Sequence, residues 1–337
     1  MAIVDGPQAT TDRLAAHCSS TVGIPLVTAS DPQSTSAAPA ISVVIATRDR
    51  PELLRRAIAA VLAQEYDGSI DIAVVFDQTE PDQSLVQSSP GRSVAVMPNT
   101  HTPGLPGARN TGMEATSGAL IAFCDDDDEW MPGKVAAQVR AFDRPDVTFC
   151  TTGIVIDFDG TRTDRPSQVS ELTVADLVHD RLTEAHPSSF MFRRAIVDRI
   201  GLVDEVIPGG YSEDYDFLIR AARDGRIVCL PTPLVIIKWG RTSYFATRWR
   251  MIVDAQRYLM NKHPEFGMHR RAEARIRGQI AFALAALGER RAALREIGRT
   301  IARWPLEKRW PVALLVTMRV VSADRALALA HKTGRGI

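Results

Sequence analysis

The chain has 337 residues, 45% of them apolar and 24% charged, with equal numbers of acidic and basic side chains and no formal net charge. This is the composition of a soluble globular protein with room for one large α/β domain plus an appendage, or for two modest domains. No window approaches 18 uninterrupted apolar residues and no charged-then-apolar leader opens the chain, so neither a membrane span nor export is expected.

Residues 1–39 are rich in Ser, Thr, Ala and Pro without sustained periodicity, which predicts a disordered extension. Order is expected from Ile41: an apolar strand over 41–46, then a helix over 51–66 carrying Leu54, Ile58, Val61 and Leu62 at helical spacing. Asp49 is the expected N-cap, with Pro51 in the first turn. Strands follow at 70–76 and 94–97, a Pro/Gly-bearing loop at 99–107, a helix at 108–116, and a strand at 119–124 that runs into Asp125, Asp126, Asp127 and Asp128. Strand, helix, strand, strand, helix, strand describes a nucleotide-binding α/β half, whose ligands sit beyond the carboxyl ends of the strands.

Beyond Pro132 the pattern predicts a helix through Gln138 to Phe142, one or two strands over 147–158 around Gly153, and a short helix over 174–182. A strand over 188–192, a short helix over 194–200, a helix over 214–223 stopped by Gly225, and strands at 227–230 and 234–237 close the α/β part, assigned to residues 40–245. Residues 246–337 read as a basic helical region, broken at His263-Pro264, Gly288 and Trp304-Pro305, with 278–303 as one helical hairpin. Residues 241–337 hold 20 Lys and Arg against 7 Asp and Glu, so the first part of the chain is acidic and the tail basic, which suggests two jobs. Cys18, Cys124, Cys150 and Cys229 show no zinc spacing, and buried reduced thiols in a cytoplasmic protein are expected.

Five segments carry chemistry. Four adjacent carboxylates repel and raise one another's pKa unless a cation joins them. On an extended segment Asp125 and Asp127 face one way and Asp126 and Asp128 the other, a pair of oxygens suited to Mn2+ or Mg2+; the plain alternative is a solvated acidic loop. Thr47, Arg48 and Arg50 at the end of the first strand bring a hydroxyl and two guanidinium groups toward a base or phosphate, or else form a helix start with solvated arginines. Asp77, ending the next strand, offers a carboxylate to a base or ribose. The loop and helix start from Asn99 to Gly112 present backbone amides and Arg109 to an anion, or are simply flexible. Finally, a glycine turn at 209–210 delivers Glu213, Asp214 and Asp216 to a helix start, as a general base with its supports or as dipole-stabilised caps.

Together these residues resemble glycosyltransferase family 2 on a GT-A fold, over residues 41 to about 240. The likeness rests on Gly107-Ala-Arg-Asn-Thr-Gly112, on Asp125 to Asp128 followed by Trp130, Pro132, Lys134 and Gln138, and on Ser212-Glu-Asp-Tyr-Asp216 with Arg220. The resemblance implies an α/β mixed sheet flanked by helices, with a C-terminal helical appendage. It assigns Asp125 and Asp127 to the metal, Asp126 to the ribose, Thr47 and Arg50 to the nucleotide and Asp77 to the base. Asp214 becomes the catalytic base, with Glu213 and Asp216 as supports or acceptor contacts.

The implied reaction is inverting transfer from a nucleotide-diphosphate sugar to a hydroxyl acceptor, whether glycan, lipid-linked or small molecule. Phe76 replaces a frequent Asp, and Gly240-Arg241 replaces a frequent His, which leaves Arg241 as a phosphate contact. The Gln-x-x-Arg-Trp motif of polymerising synthases is incomplete, with Phe245 in place of Gln before Arg248-Trp249. A nucleotidyltransferase would need glycine in the loop after the first strand, and a catalytically inactive scaffold is the remaining alternative. The tail is expected either to pack on the core or on a second subunit in a homodimer, or to touch the inner face of the membrane. Its aromatics are too sparse for nucleic acid.

Overall fold

The computed structural model describes residues 38–239 and 248–332. Most of the expected N-terminal extension, Cys18 and Arg241 therefore lie outside the described residues. Eleven strands form one sheet: β1 (Ile41–Thr47), β2 (Ile70–Phe76), β3 (Gln87–Ser89), β4 (Arg92–Pro98), β5 (Leu120–Phe123), β6 (Glu129–Trp130), β7 (Val147–Phe158), β8 (Thr161–Arg165), β9 (Glu171–Leu172), β10 (Met191–Arg193) and β11 (Arg226–Trp239). Their order is β3-β4-β2-β1-β5-β10-β7-β11-β6, with β8 on β7 and β9 on β11. The β4-β2-β1-β5 half is parallel, and β10 runs antiparallel to both β5 and β7. This is a mixed sheet flanked by helices.

β1, β2 and β5 are nearly continuous runs of buried apolar residues because helices cover both faces. Alternation along β1 splits the interior in two. Val43 and Ile45 pack with Leu54, Ile58 and Val61 of α1 (Pro51–Leu62), and with Val135 of α3 (Lys134–Ala141), on one face. Val44 faces Met113 of α2 (Leu105–Glu114) and the phenylalanines Phe123, Phe149, Phe190, Phe192 and Phe217 on the other. Those rings meet at centroid distances of 5.0–6.3 Å and seat α6 (Glu213–Asp224) against the sheet.

In-register pairing aligns the ends of the parallel strands: Thr47 opposes Phe76, and Phe76 opposes Pro98. The segments carrying Arg48 and Arg50, Asp77 and Asn99 therefore leave the sheet along one edge. Val44 pairs with Phe123, so the acids after β5 emerge at the same edge.

The short helices α4 (Val174–His179) and α5 (Val197–Ile200) lie between β9 and α6 in the chain. After β11 come α7 (Trp249–Lys262), α8 (Glu265–Met268), α9 (Arg270–Ala286), α10 (Arg290–Arg303), α11 (Arg309–Thr317) and α12 (Ala323–Lys332). Ile276, Ile280, Phe282 and Leu284 of α9 are buried in the same core as Phe217, and Arg275 donates to the Tyr215 hydroxyl at 2.9 Å. The tail thus packs on the α/β part through α7, α8 and α9, with α10 and α11 seated on α9, and α9–α10 is the hairpin expected from the sequence. No helix of the described residues is long and apolar enough to cross a membrane.

Several local readings are corrected. Asp49 does not cap α1; Arg50 holds that position without a side-chain cap bond, and Asp49 adopts φ 56°. α2 begins at Leu105, with Pro106 in its first turn after Gly104 at φ 127°, a conformation that only glycine adopts without strain. The two strands expected at 227–230 and 234–237 are one strand, with register shifts around Pro233. The strand expected at 188–192 is divided, because Pro187 starts a 3-10 turn over Pro187–Ser189 and only Met191–Arg193 joins the sheet.

Candidate active site

β5 ends at Phe123, and the chain then turns rather than extending, with the Asp128 amide donating to the Asp125 carbonyl at 3.2 Å. The alternation expected along a strand therefore stops at the first acid. Asp125 and Asp128 come together instead, and each has an oxygen in a group completed by a His186 ring nitrogen, all within 4.8 Å of one another. Asp126 and Asp127 turn toward β1. Asp126 accepts from Thr47 Oγ1 at 2.8 Å and from Arg50 Nη1 at 3.0 Å, and Asp127 accepts from the same Nη1 at 2.7 Å.

The turn is braced from beneath. Ser188 Oγ accepts from the Asp125 amide at 2.9 Å and donates to Asp128 Oδ2 at 2.5 Å, while Trp130 Nε1 donates to the Ser188 carbonyl at 3.0 Å. Lys134 Nζ lies 3.6 Å from the centre of the Trp130 ring and donates to Gln138 at 2.7 Å, and Gln138 in turn holds the Ser189 carbonyl at 2.8 Å. The Trp130, Lys134 and Gln138 positions of the motif are therefore scaffolding.

Arg109 joins this turn to the second acid cluster. Its side chain is 2% exposed; Nη2 donates to Asp125 Oδ1 at 2.6 Å, and Nη1 donates to Glu213 Oε1. Expected beside an anion, Arg109 pairs in this structure with two carboxylates that lie 88 residues apart in the chain. Asp214, next to Glu213, faces Arg181 at 3.3 Å. Asp216 is directed elsewhere: wholly buried, it binds Arg220 Nε at 2.8 Å, His263 Nε2 at 2.8 Å and Lys262 Nζ at 2.7 Å, which ties α6 to the end of α7.

At the other end of the edge, Asp77 accepts from Asn99 Nδ2 and the Gly104 amide, both at 2.9 Å, and lies 4.0 Å from Arg48. Beside it a recess of about 170 Å3 is lined by Thr47, Arg50, Phe76 and Thr79, among others. Thr79 lines this recess, and its hydroxyl is buried without a hydrogen-bond partner. A wider groove of about 440 Å3 lies near Asn110, Asp204, Glu205, Arg220 and Lys262. Its charged groups already hold one another or nearby protein groups, as in the Lys262–Asp204 pair at 2.5 Å and the Glu205–Asn110 bond at 2.6 Å.

The electrostatics divide the acids. Burial pushes Asp125 up, but Arg109, His186 and Arg50 outweigh it and hold its pKa below the ordinary value. Asp127 is pushed up to about 6 by burial and by Asp125, against Arg50. Asp128 lies well above the usual carboxylate range through burial and its charged neighbours Asp125 and Asp127, and Glu213 is raised to about 7 by burial, against Arg109. Asp77 is lowered, its burial outweighed by hydrogen bonds from Asn99, Gly104 and Gln78.

The model of Glycosyl transferase family 2 matches residues 42–201. An uncharacterized glycosyltransferase of Bacillus subtilis is 30% identical over 58% of this chain and 73% of its own length. The chain belongs to glycosyltransferase family 2. Another relative is an Escherichia coli UDP-Glc:α-D-GlcNAc-diphosphoundecaprenol β-1,3-glucosyltransferase, 23% identical over 55% of this chain and 71% of that protein.

Among solved structures, a Pyrobaculum calidifontis mannosyltransferase in complex with GDP-Man and Mn2+ superposes with TM-score 0.53 at 17% identity, covering 85% of this chain and 81% of that one. Staphylococcus aureus TarS residues 1–349 in complex with UDP-GlcNAc gives 0.55 at 14% identity, covering 88% and 92%. Both likenesses are of fold, the GT-A arrangement. As a family 2 member the protein is a glycosyltransferase. His186, Ser188, Arg181 and Thr79 escaped the sequence reading, since none sits in a local pattern and each acquires its neighbours only through the fold.

Proposed function

We propose that this glycosyltransferase transfers a sugar, with inversion, from a nucleotide-diphosphate donor to a hydroxyl acceptor on a lipid-linked glycan, using a divalent metal at the acid turn. The observation that supports this reading is the Arg109 bridge, in which one guanidinium pairs with both Asp125 and Glu213 and so links the acid turn to the segment carrying Asp214.

The donor set fits a divalent cation. Carboxylate oxygens at Asp125 and Asp128 are hard ligands grouped with a His186 ring nitrogen, Asp127 adds a further carboxylate on the same turn, and Asp127 and Asp128 are raised first by burial and then by the neighbouring acids, which a cation would offset. Bound there, Mn2+ or Mg2+ would neutralise the charge that builds on the departing diphosphate. Asp77, fixed by Asn99 and Gly104, serves as acceptor for the base, and the recess beside Thr79 takes its edge. Thr47 and Arg50 orient Asp126 toward the ribose. Asp214 takes the proton of the acceptor hydroxyl as its oxygen attacks the anomeric carbon from the face opposite the diphosphate, which sets inversion.

The lipid-linked acceptor is supported by the activity of the Escherichia coli relative and by the surface of the tail. Leu306, Leu315, Met318 and Val320 are exposed on and beside α11, interspersed with exposed Arg303, Lys308 and Arg319, the mixture that seats on an anionic bilayer surface. Flotation with anionic vesicles tests this; a dimer in solution that does not float would assign the face to a second copy. The enzymatic reading is tested by Asp214→Asn, which is expected to keep donor affinity in calorimetry while losing transfer. Transfer at the wild-type rate would remove Asp214 as the base.

A further inference from the structure

The base is paired in this structure, and the pair is unlike its neighbour. Arg181, in the segment after α4, sends Nη2 to both Asp214 oxygens at 3.3 and 3.5 Å and Nη1 to Ser212 Oγ at 3.2 Å. Charge-assisted bonds of this kind are normally about 2.7–2.9 Å, the class to which the buried Arg109–Asp125 bond at 2.6 Å belongs. The Arg181 side chain is 40% exposed, whereas that of Arg109 is 2% exposed.

One carboxylate of the Glu213-Asp214 pair is thus locked to a buried arginine, and the other is held loosely by an arginine open to solvent. Ser212 reinforces the contrast. It occupies the N-cap position of α6 at φ 67°, an uncommon conformation for a residue with a Cβ, yet makes no cap bond, and its hydroxyl is turned to Arg181. The backbone forgoes a cap worth about 1 kcal/mol and accepts strain at a place where function commonly accounts for it.

We infer that Arg181 is the acceptor's anion site: it receives a phosphate or diphosphate group on the acceptor, close to the hydroxyl that Asp214 deprotonates. This rests on the proposed function above and specifies its acceptor class. A guanidinium presents a planar fork of donors that fits phosphate oxygens two at a time, and an exposed one held by long bonds exchanges partners readily.

The exchange has a chemical consequence. While Arg181 Nη2 faces both Asp214 oxygens, the guanidinium stands where the acceptor hydroxyl would have to reach that carboxylate. Transfer of the guanidinium to an acceptor phosphate opens those oxygens to the hydroxyl, so seating the correct acceptor also frees the base. The hydroxyl proton then passes to Asp214, the acceptor oxygen bonds to the anomeric carbon, and the donor's glycosidic electron pair leaves with the diphosphate. A neutral acceptor supplies no counter-charge and leaves the pair closed.

Three probes separate the sources of binding: GlcNAc joined through diphosphate to a short prenyl chain, GlcNAc 1-phosphate without lipid, and the neutral octyl glycoside of GlcNAc. Calorimetry is run on the full chain with Mg2+ and UDP present. Wild type is expected to bind both phosphate-bearing probes at least about tenfold more tightly than the octyl glycoside, the scale of one hydrogen-bonded charge pair. Arg181→Ala abolishes that preference with UDP affinity unchanged, which also reports that the variant is folded, and Arg181→Lys restores part of it.

Equal binding of the octyl glycoside and the diphosphate probe by wild type, absence of binding by any probe, or an undiminished preference in Arg181→Ala overturns the inference. A preference confined to the prenyl diphosphate, and absent for GlcNAc 1-phosphate, assigns it to the lipid and overturns it as well. Asp214→Asn keeps the failures apart: if it still transfers sugar, the base assignment falls whatever Arg181 binds, and if it does not, Arg181 is judged on the probes alone.

Discussion

Replacing Arg109 by Met removes the charge that two buried acids share while keeping an unbranched apolar stem. Its guanidinium is 2% exposed and holds Asp125 at 2.6 Å as well as Glu213, whose pKa stands at about 7 even with the arginine in place. Breaking a buried pair by deleting one partner costs about 3–5 kcal/mol, because the remaining charge is left without compensation. At about 2–4 °C per kcal/mol for a large domain, the melting temperature is expected to fall by about 6–20 °C.

The sign of the metal response follows from the same geometry. A cation at Asp125 supplies the charge that Arg109 no longer does, so Mn2+ raises the melting temperature of the variant by more than it raises that of wild type. Thermal denaturation with and without Mn2+ reads both quantities. A fall below about 2 °C, or equal Mn2+ increments in the two proteins, would refute the view that Arg109 balances the acid turn against the base motif.

Two further outcomes follow from the charges. Asp216→Asn is expected to cost about 3–5 kcal/mol by leaving Lys262, Arg220 and His263 around a neutral group. Asp216 has its pKa depressed, because burial is outweighed by His263, Arg220 and Lys262. Its stabilisation is therefore present above the unfolded value of about 3.9 and is lost as pH falls toward the folded value, so the variant's acid limb is flatter than wild type in denaturation scans. Mn2+ affinity is expected to fall as pH drops below about 6, where a proton competes at Asp127; isothermal titration at several pH values checks this, and a flat profile from pH 5 to 7 would contradict it.

Much of the framework is legible in the chain itself. β1, β2 and α6 stand within a residue of their expected bounds because continuous apolar runs and 3.6-residue spacing are strong local signals. The short polar strands β3, β8 and β9 carry no such signal and exist through pairing with β4, β7 and β11. The start of α2 at Leu105 hides behind Pro106 and Gly107, residues that read as loop yet are tolerated in a first turn.

The acid turn shows where local reasoning stops. Treating Asp125 to Asp128 as extended chain places Asp125 with Asp127, but the turn places it with Asp128 and brings in His186, about 60 residues on. Arg109 likewise reads as an anion ligand, because nothing near it in sequence reveals that Asp125 and Glu213 close over it. Contacts of that separation belong to the fold.

The central claim is that the acid turn holds a metal together with a nucleotide-diphosphate sugar. Its most direct test is calorimetric titration of a nucleotide-sugar panel into wild type and Asp127→Ala, each with and without Mn2+. The expected result is at least one donor that binds wild type only with metal present and no longer binds Asp127→Ala. Equal donor affinity in the two proteins, or binding indifferent to Mn2+, would contradict the account.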